Sequence, residues 1–282
     1  MKNFDLHVHS DYSDGLMTIG QIIALCQQKK IASVAITDHD TVDQVLPAQK
    51  IGRRAGVRVL AGAEISVSHK GQRWHLLAYH FNPRHRALRA ELSVQQEARR
   101  ERLEKLKKIA LDLGFLLNGQ ALGRHRSVSR IHLARLLWQD PTNYNLCCQF
   151  GLKGPGQILE KIFSRPPAVA DRYRTDMKKA IDLVHAAGGL AVLAHPIASS
   201  HNNFALLEKM ARSAGRLELD GLEVFSGRQK LIPTLSLYNL AKQYGLLITA
   251  GSDFYGTNRQ RYSQLGQWQE AKLDWTPEGY LF

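Results

Sequence analysis

The sequence predicts an α/β fold, a distorted (β/α)7 TIM-like barrel with a helical insertion domain. Seven short apolar runs rich in Val, Ile and Leu recur along the 282 residues, and segments with helical periodicity follow several of them. Between Pro83 and Pro167 the pattern changes to long, charged, helical sequence. Such alternation is typical of parallel strands joined by crossover helices.

The predicted strands are short and apolar, and turn residues or polar residues follow them. They are Phe4–Val8, Ser33–Thr37, Val57–Ala61, Trp74–Tyr79, Leu190–Ala194, Gly221–Phe225 and Leu246–Ala250. The predicted helices carry start signals or helical periodicity. They run from a cap at Thr18 to Lys30, and over Thr41–Ala55, Thr175–Ala187, Phe204–Ser213 and Leu231–Tyr244.

Residues 1–82 and 168–282 are predicted to form the barrel, and residues 83–167 the helical insertion domain. The insertion is dense in Lys and Arg, but glutamates at helical spacing accompany them. These are Glu91, Glu97, Glu101 and Glu104. Most of this charge therefore fits a solvated helix face with i,i+4 pairs.

Composition narrows the class of protein. An apolar share of 44% and a charged share of 22% are typical of a globular chain. No apolar run approaches the roughly 20 residues that span a bilayer, and the N-terminus lacks an apolar signal core. The three cysteines, Cys26, Cys147 and Cys148, lack CxxC spacing and fit reduced thiols. We therefore expect a cytoplasmic protein without a membrane partner, and no feature calls for an obligate protein partner.

The net charge of +13 favours phosphate-rich partners through long-range attraction and counterion release. The same charge also fits a protein that is merely kept soluble. Charge alone leaves both interpretations open.

Metal-ligand side chains occur at the ends of the predicted strands. His7 and His9 lie two residues apart, so strand alternation directs both imidazoles to one face. Asp14 follows in a Ser-Asp-Gly turn, where it either reaches back to the strand end or satisfies its own backbone. Of the run Asp38-His39-Asp40, one side chain is expected to point inward.

The later strands continue this pattern. Glu64 follows one strand, and His195 and Asp253 follow two others. His75 and His80 are five residues apart, so only one of them can face the cluster. Because the carboxyl ends of barrel strands open onto one face, we expect these side chains to meet there. Imidazole and carboxylate donors suit zinc, manganese or iron, and no cysteine is among them.

Bound ions of this kind activate water against phosphate esters without a covalent nucleophile. The sequence contains no G-x-S-x-G elbow, no Walker loop and no G-x-G-x-x-G fingerprint. Serine-hydrolase, nucleotide-motor and dinucleotide functions therefore lack support.

Six ordered motifs, H-V-H-S-D-Y-S-D-G, I-T-D-H-D-T, G-A-E-I-S, H-L-L-A-Y, A-H-P and G-S-D-F, resemble the polymerase-and-histidinol-phosphatase (PHP) family of metal phosphoesterases. The resemblance covers most of the chain. It is strongest to the branch that contains 5′-3′ exoribonucleases and 3′,5′-nucleotide bisphosphate phosphatases, in which a helical insertion follows the fourth strand.

The resemblance implies two or three divalent metal ions, manganese or else zinc or iron, and it assigns roles to particular residues. The implied metal ligands are His7, His9, Asp14, His39, Glu64, His75, His195 and Asp253. Of these, the residues expected to take part in catalysis are His7, His9, Glu64, His195 and Asp253. Glu64 is expected to bridge ions.

The stretch S-V-S-R-I-H-L-A-R resembles a motif whose arginine and histidine face substrate phosphate, which makes Arg130 and His132 candidates for substrate binding. Local sequence alone fits a surface charge and a helix cap equally well.

The chain departs from the family pattern at two places. Relatives usually have His after G-S-D-F, where this chain has Tyr255. They often have Gly-Arg after A-H-P, where it has Ile197-Ala198, and Arg228 or Arg259 are alternatives for that phosphate contact.

The predicted function is hydrolysis of phosphate esters at the 5′ ends of short RNA or DNA by metal-activated water. One alternative is a phosphatase acting on 3′,5′-nucleotide bisphosphates or another small molecule. An alternative of a different class is a non-catalytic RNA-binding protein with a degenerate metal site.

Overall fold

The computed structural model describes residues 4–118, 129–164, 173–227, 231–256 and 264–268. Within these ranges the chain has a mixed α/β fold. Its strands are β1 Phe4–Val8, β2 Ser33–Ile36, β3 Arg58–Leu60, β4 Gly62–His69, β5 Gln72–Tyr79, β6 Thr175–Asp176, β7 Leu190–Leu193, β8 Gly221–Ser226 and β9 Leu247–Gly251.

Five helices of the described residues match the predicted helical segments to within a few residues, others lie in the charged region after Pro83, and a short one, Pro196–Ser199, was not predicted. In chain order the helices are α1 Ile19–Gln28, α2 Val45–Ala55, α3 Arg86–Asp112, α4 Arg130–Gln139, α5 Tyr144–Gln149, α6 Pro155–Lys161, α7 Met177–Ala186, α8 Pro196–Ser199, α9 Phe204–Leu217 and α10 Leu231–Gln243. A 3-10 turn covers Pro141–Asn143. The predicted cap at Thr18 is confirmed, because its side chain accepts a hydrogen bond from the Gln21 backbone N–H.

The strands form two sheets. Strands β1, β2 and β3 pair in parallel, and a six-stranded sheet has the order β6-β4-β5-β7-β8-β9. Two isolated bridges connect these sheets. One joins Val8 of β1 to Phe254, which follows β9, and the other joins His39, which follows β2, to Glu64 of β4.

The expectation of parallel strands is wrong for β5, which runs antiparallel to both β4 and β7. The reason lies in Lys70 and Gly71, which join β4 to β5 with φ values of 48° and 74°. Two consecutive residues with positive φ form the tight hairpin turn whose twist matches antiparallel strands. The predicted strand Val57–Ala61 corresponds to β3. The next and longer strand, β4, carries Glu64 and was not among the predicted strands.

The chain divides into two compact units, Met1–Ser93 with Arg174–Phe282 and Val94–Tyr173. The first unit has an apolar core that includes Leu6, Val67, Leu76 and Val192. The second has its own core, in which Leu106, Leu133, Ile158 and Phe163 are buried. No helix among the described residues is both long and apolar enough to cross a membrane.

Candidate metal centre

The polar side chains predicted from the strand ends come together in the first unit. β1 supplies His7 and, one residue beyond its end, His9; both side chains are fully buried. β4 supplies Glu64 and β5 supplies His75. The loops after β1, β2, β7 and β9 supply the remaining ones, Asp14, His39, His195 and Asp253.

The buried carboxylate of Glu64 is the centre of this cluster. Its Oε2 atom lies 3.1 Å from His9 Nε2, 3.1 Å from His39 Nδ1 and 3.4 Å from His7 Nε2. Its Oε1 atom lies 2.8 Å from His75 Nδ1 and 2.9 Å from His195 Nε2. One carboxylate therefore faces five imidazoles that come from widely separated parts of the chain.

Two further carboxylates complete the cluster. Asp253 Oδ1 lies 3.3 Å from His9 Nε2 and 3.5 Å from His7 Nε2. Asp14 Oδ1 lies 3.7 Å from His9 Nδ1. Four overlapping groups have their ligand atoms close enough to hold an ion, and together they contain all eight predicted ligands. They are His7, His195 and Asp253; His7, His9 and Glu64; His9, Asp14 and His39; and His39, Glu64 and His75.

The donor atoms of the cluster fit a metal ion. Glu64 Oε2, His7 Nε2, His9 Nε2 and His75 Nδ1 are buried and make no hydrogen bond with any described residue. Buried polar atoms normally have a partner, because leaving them without one is costly. Imidazole nitrogens and carboxylate oxygens that converge without hydrogen bonds are the donor set that a divalent cation satisfies.

The electrostatics of the cluster favour positive charge. Burial alone would raise the pKa of Glu64, but the neighbouring His39, His75 and His7 hold it well below its usual range. Burial likewise opposes protonation of His7, yet Glu223, Asp253 and Glu64 hold the pKa of His7 well above its usual range. The Glu64 carboxylate therefore stays ionised and stabilises a cation at the imidazole nitrogens.

Glu223 is a buried residue behind the cluster that the sequence analysis missed. Its Oε1 lies 2.8 Å from His7 Nδ1, and its Oε2 accepts a hydrogen bond of 2.7 Å from the His195 backbone N–H. Because a carboxylate oxygen accepts this hydrogen bond, His7 Nδ1 carries a proton and Nε2 is the nitrogen that faces Glu64. An acid in the middle of the apolar run G-L-E-V-F was the available signal.

Asp5 is a second buried acid that the sequence analysis missed. Its carboxylate accepts backbone hydrogen bonds from His7 at 3.2 Å, Ser252 at 2.9 Å and Gly266 at 2.7 Å. Burial, partly offset by these donors, raises its pKa to about 6. Asp5 thus ties β1 to the loop that carries Asp253.

Within the run Asp38-His39-Asp40, only His39 joins the cluster. Asp38 accepts hydrogen bonds from the backbone and hydroxyl of Ser10 and from the hydroxyl of Ser13, and so fixes the loop before Asp14. Asp40 holds Ser66 of β4 through two hydrogen bonds.

His80 and Ile197 are not members of the metal groups of the described residues. Of His75 and His80, it is His75 that joins the cluster, while His80 follows the end of β5 with a φ of 58°. Ile197 is buried in the core, so its side chain is not available to phosphate. Arg228 and Arg259 lie outside the described residues.

Arg130 and His132 lie in the first turn of α4, in the second compact unit. Arg130 is exposed and His132 is buried. His132 Nδ1 accepts a hydrogen bond from the Ser129 backbone N–H, and the Ser129 hydroxyl accepts one from the His132 N–H. These are the contacts of a capping box; a phosphate contact by either residue stays a prediction.

Comparison with known proteins gives a consistent result. Residues 5–187 match the family described as the PHP domain. The chain is 26% identical over 260 residues to a 5′-3′ exoribonuclease of Haemophilus influenzae, an alignment that covers 90% of each chain. It is 28% identical over 268 residues to a 3′,5′-nucleoside bisphosphate phosphatase of Chromobacterium violaceum, covering 90% of this chain and 88% of that one.

Among solved structures, the fold is similar to one described as an amidohydrolase from Chromobacterium violaceum with bound sulfate and no metal. The TM-score is 0.80 at 26% identity, and the match covers 95% of this chain and 91% of the other.

Proposed function

The chain belongs to the PHP domain family, as its motifs predicted, and from this premise we propose that it is a metal-dependent phosphoesterase acting on nucleic-acid 5′ ends. The observation that carries the proposal is the Glu64 carboxylate, with imidazole nitrogens arranged around both of its oxygens. A carboxylate in this position can bridge two ions. We propose two or three divalent ions, with manganese first and zinc or iron as alternatives.

The proposed ligands are those predicted from the sequence, namely His7, His9, Asp14, His39, Glu64, His75, His195 and Asp253. When bound, the ions supply a water of lowered pKa and neutralise charge on the phosphoryl group. The cluster is buried at Glu64 and partly open to solvent at His75. The Glu64 side chain has no exposed surface, whereas 32% of the His75 side-chain surface is exposed. Substrate phosphate is therefore proposed to approach beside His75.

We propose that the substrate is short RNA or DNA. Relatives include both an exoribonuclease and a nucleoside bisphosphate phosphatase, and the net charge of +13 supports the longer, more highly charged substrate. Arg130 and His132 are the proposed phosphate contacts. We also propose that this activity is cytoplasmic, as the nucleic-acid substrate and the exoribonuclease relatives suggest.

The barrel architecture is also part of the proposal. We propose that residues 1–82 and 168–282 form the distorted (β/α)7 TIM-like barrel and that residues 83–167 form its helical insertion domain. The bridges Val8–Phe254 and His39–Glu64 support closure, because each of them is a parallel pairing between the two sheets or the residues that follow their strands. A closed barrel explains how ligands from distant strands share one end.

The decisive experiment measures hydrolysis by the manganese-loaded protein. Substrates are 5′-end-labelled oligonucleotides of increasing length and a 3′,5′-bisphosphonucleotide. The control for lost ligands is His7→Ala/His9→Ala, and His69→Ala replaces a partly exposed histidine outside the cluster. We expect release of mononucleotides by wild type and by His69→Ala, and none by the double variant.

Substrate length separates the two phosphoesterase functions. A nuclease gains affinity with each added phosphate and loses it as salt rises, whereas a bisphosphate phosphatase gains nothing from added nucleotides. If no substrate loses phosphate or mononucleotide above the level of the double variant, the proposal is refuted. Tight RNA binding without metal or turnover would instead favour a non-catalytic RNA-binding protein.

A further inference from the structure

The aromatic ring of Tyr255 lies flat against the imidazole of His9. The ring centroids are 4.1 Å apart and the planes differ by 7°. Both residues are buried, with 3% of Tyr255 and none of His9 exposed. This is the position at which relatives usually carry a histidine, so the chain has a flat ring there without a nitrogen ligand.

Backbone hydrogen bonds hold Tyr255 in this position. The His9 N–H donates to Phe254 O at 2.8 Å, and the Phe254 N–H donates to His7 O at 3.3 Å. The Leu16 N–H donates to Tyr255 O at 2.8 Å. The backbone of the segment is therefore fixed to both β1 and the loop after it, which keeps the buried phenol ring next to the imidazole.

A stacked imidazole keeps the ring contact only in one plane, so apart from a half-turn it cannot rotate about its Cβ–Cγ bond without losing that contact. In the observed orientation His9 Nε2 faces Glu64 at 3.1 Å and Asp253 at 3.3 Å, while Nδ1 faces Asp14 at 3.7 Å. His9 belongs to two of the candidate metal groups, one with His7 and Glu64 and one with Asp14 and His39.

A neutral imidazole coordinates a metal through one nitrogen, because the other carries the proton. His9 can therefore serve only one of its two groups. We infer that Tyr255 is a positioning residue that commits His9 Nε2 to the ion held with His7 and Glu64, and leaves Nδ1 as the donor facing Asp14. The inference rests on the proposed function, since it requires that the cluster binds metal.

The test measures metal binding rather than turnover. Tyr255→Phe keeps the flat ring, whereas Tyr255→Leu and Tyr255→Met keep apolar volume without it. Calorimetric titration of the metal-free proteins with Co²⁺, together with the visible spectrum of bound Co²⁺, reports affinity and ligand geometry. We expect Tyr255→Phe to bind within about twofold of wild type, and Leu and Met to bind at least about tenfold more weakly at one ion, as for other residues that orient ligands.

A merely structural role predicts a different pattern, because it lowers the melting temperature of the metal-free protein without weakening Co²⁺ binding. Wild-type affinity in either folded non-aromatic variant overturns the inference, as does an equal loss in Phe, Leu and Met. The ¹⁵N spectrum of the zinc-loaded wild type tests it without any variant at Tyr255: coordination of His9 through Nε2 supports it, and coordination through Nδ1 overturns it. Failure of wild type to bind metal would instead refute the proposed function.

Discussion

Replacing Glu223 by glutamine tests whether a buried acid behind the cluster sets the orientation of its histidines. Both carboxylate oxygens are in use, Oε1 at 2.8 Å from His7 Nδ1 and Oε2 at 2.7 Å from the His195 backbone nitrogen. Glutamine offers one oxygen and one amide N–H group. One of the two donors must then face another donor, or His7 must move its proton to Nε2, the nitrogen that faces Glu64.

The size of the effect follows from these contacts. A hydrogen bond to a charged group contributes about 1.5–3 kcal/mol, and glutamine removes one such bond and the charge of the other. Loss of a residue that orients a metal ligand typically weakens metal binding about 10- to 100-fold, which corresponds to about 1.4–2.7 kcal/mol. The two estimates agree, so we expect Mn²⁺ or Co²⁺ to bind Glu223→Gln at least about tenfold more weakly, with a parallel fall in kcat.

Calorimetric titration of the metal-free protein measures this affinity, and circular dichroism checks that the variant is folded. Glu208→Gln is the matched control, because it makes the same change in an exposed ion pair with Arg212 on α9. Exposed pairs of this kind contribute about 1 kcal/mol or less. If Glu223→Gln binds metal as tightly as Glu208→Gln, the carboxylate of Glu223 does not orient His7, and the reasoning fails.

Three further predictions concern stability and substrate binding. Adding a divalent metal to protein stripped of metal by a chelator is expected to raise the free energy of unfolding by about 2.7 kcal/mol at a metal concentration of one hundred times Kd. Tm should therefore rise with metal concentration, and a scanning calorimeter that records no shift would contradict the prediction. The folded-state pKa of Asp5 is raised from 3.8 to about 6, so its stabilising contribution is present below 3.8 and is lost as pH rises through about 6, a fall of about 3 kcal/mol. Asp5→Asn cannot ionise and should lack this part of the slope in urea unfolding between pH 3 and 7. Arg130→Ala is expected to raise KM for an oligonucleotide about tenfold and to change the unfolding free energy by less than about 0.5 kcal/mol; an unchanged KM would leave Arg130 as a surface charge.

The sequence contained enough information to locate the candidate ligands, although their role as ligands stays a prediction. The pattern was a short apolar run followed by histidine or a carboxylate, as at His39 and His195. Strands of a sheet must bury such runs, so the polar residues that follow them collect at the strand ends. This reason accounts for the ligands that follow strands, such as His39, His195 and Asp253, whereas His7, Glu64 and His75 lie within strands; all eight predicted ligands occur in the four metal groups.

Local sequence was less informative where one residue type has two uses. His132 fits both a phosphate contact and a helix cap, and the described contacts include those of the cap. The direction of β5 depended on a two-residue turn, Lys70-Gly71, whose positive φ at a lysine has no strong sequence signal. A strand that follows a tight turn is antiparallel whatever its own composition, so the apolar pattern of β5 could not reveal it.

The acids that support the cluster were missed because an apolar strand predicts burial, not the partners of a buried charge. Glu223 shows what such a charge can do. His195 has a φ of 25° and precedes Pro196, a backbone conformation that costs about 1–3 kcal/mol outside glycine. The Glu223 carboxylate holds the N–H of His195, and the Glu64 carboxylate lies 2.9 Å from its imidazole. These contacts offset the strain of the conformation in which His195 reaches Glu64, so the carboxylate that contacts His7 also stabilises the position of His195. The two histidines are therefore coupled through Glu223, and a change at Glu223 must disturb both of them together.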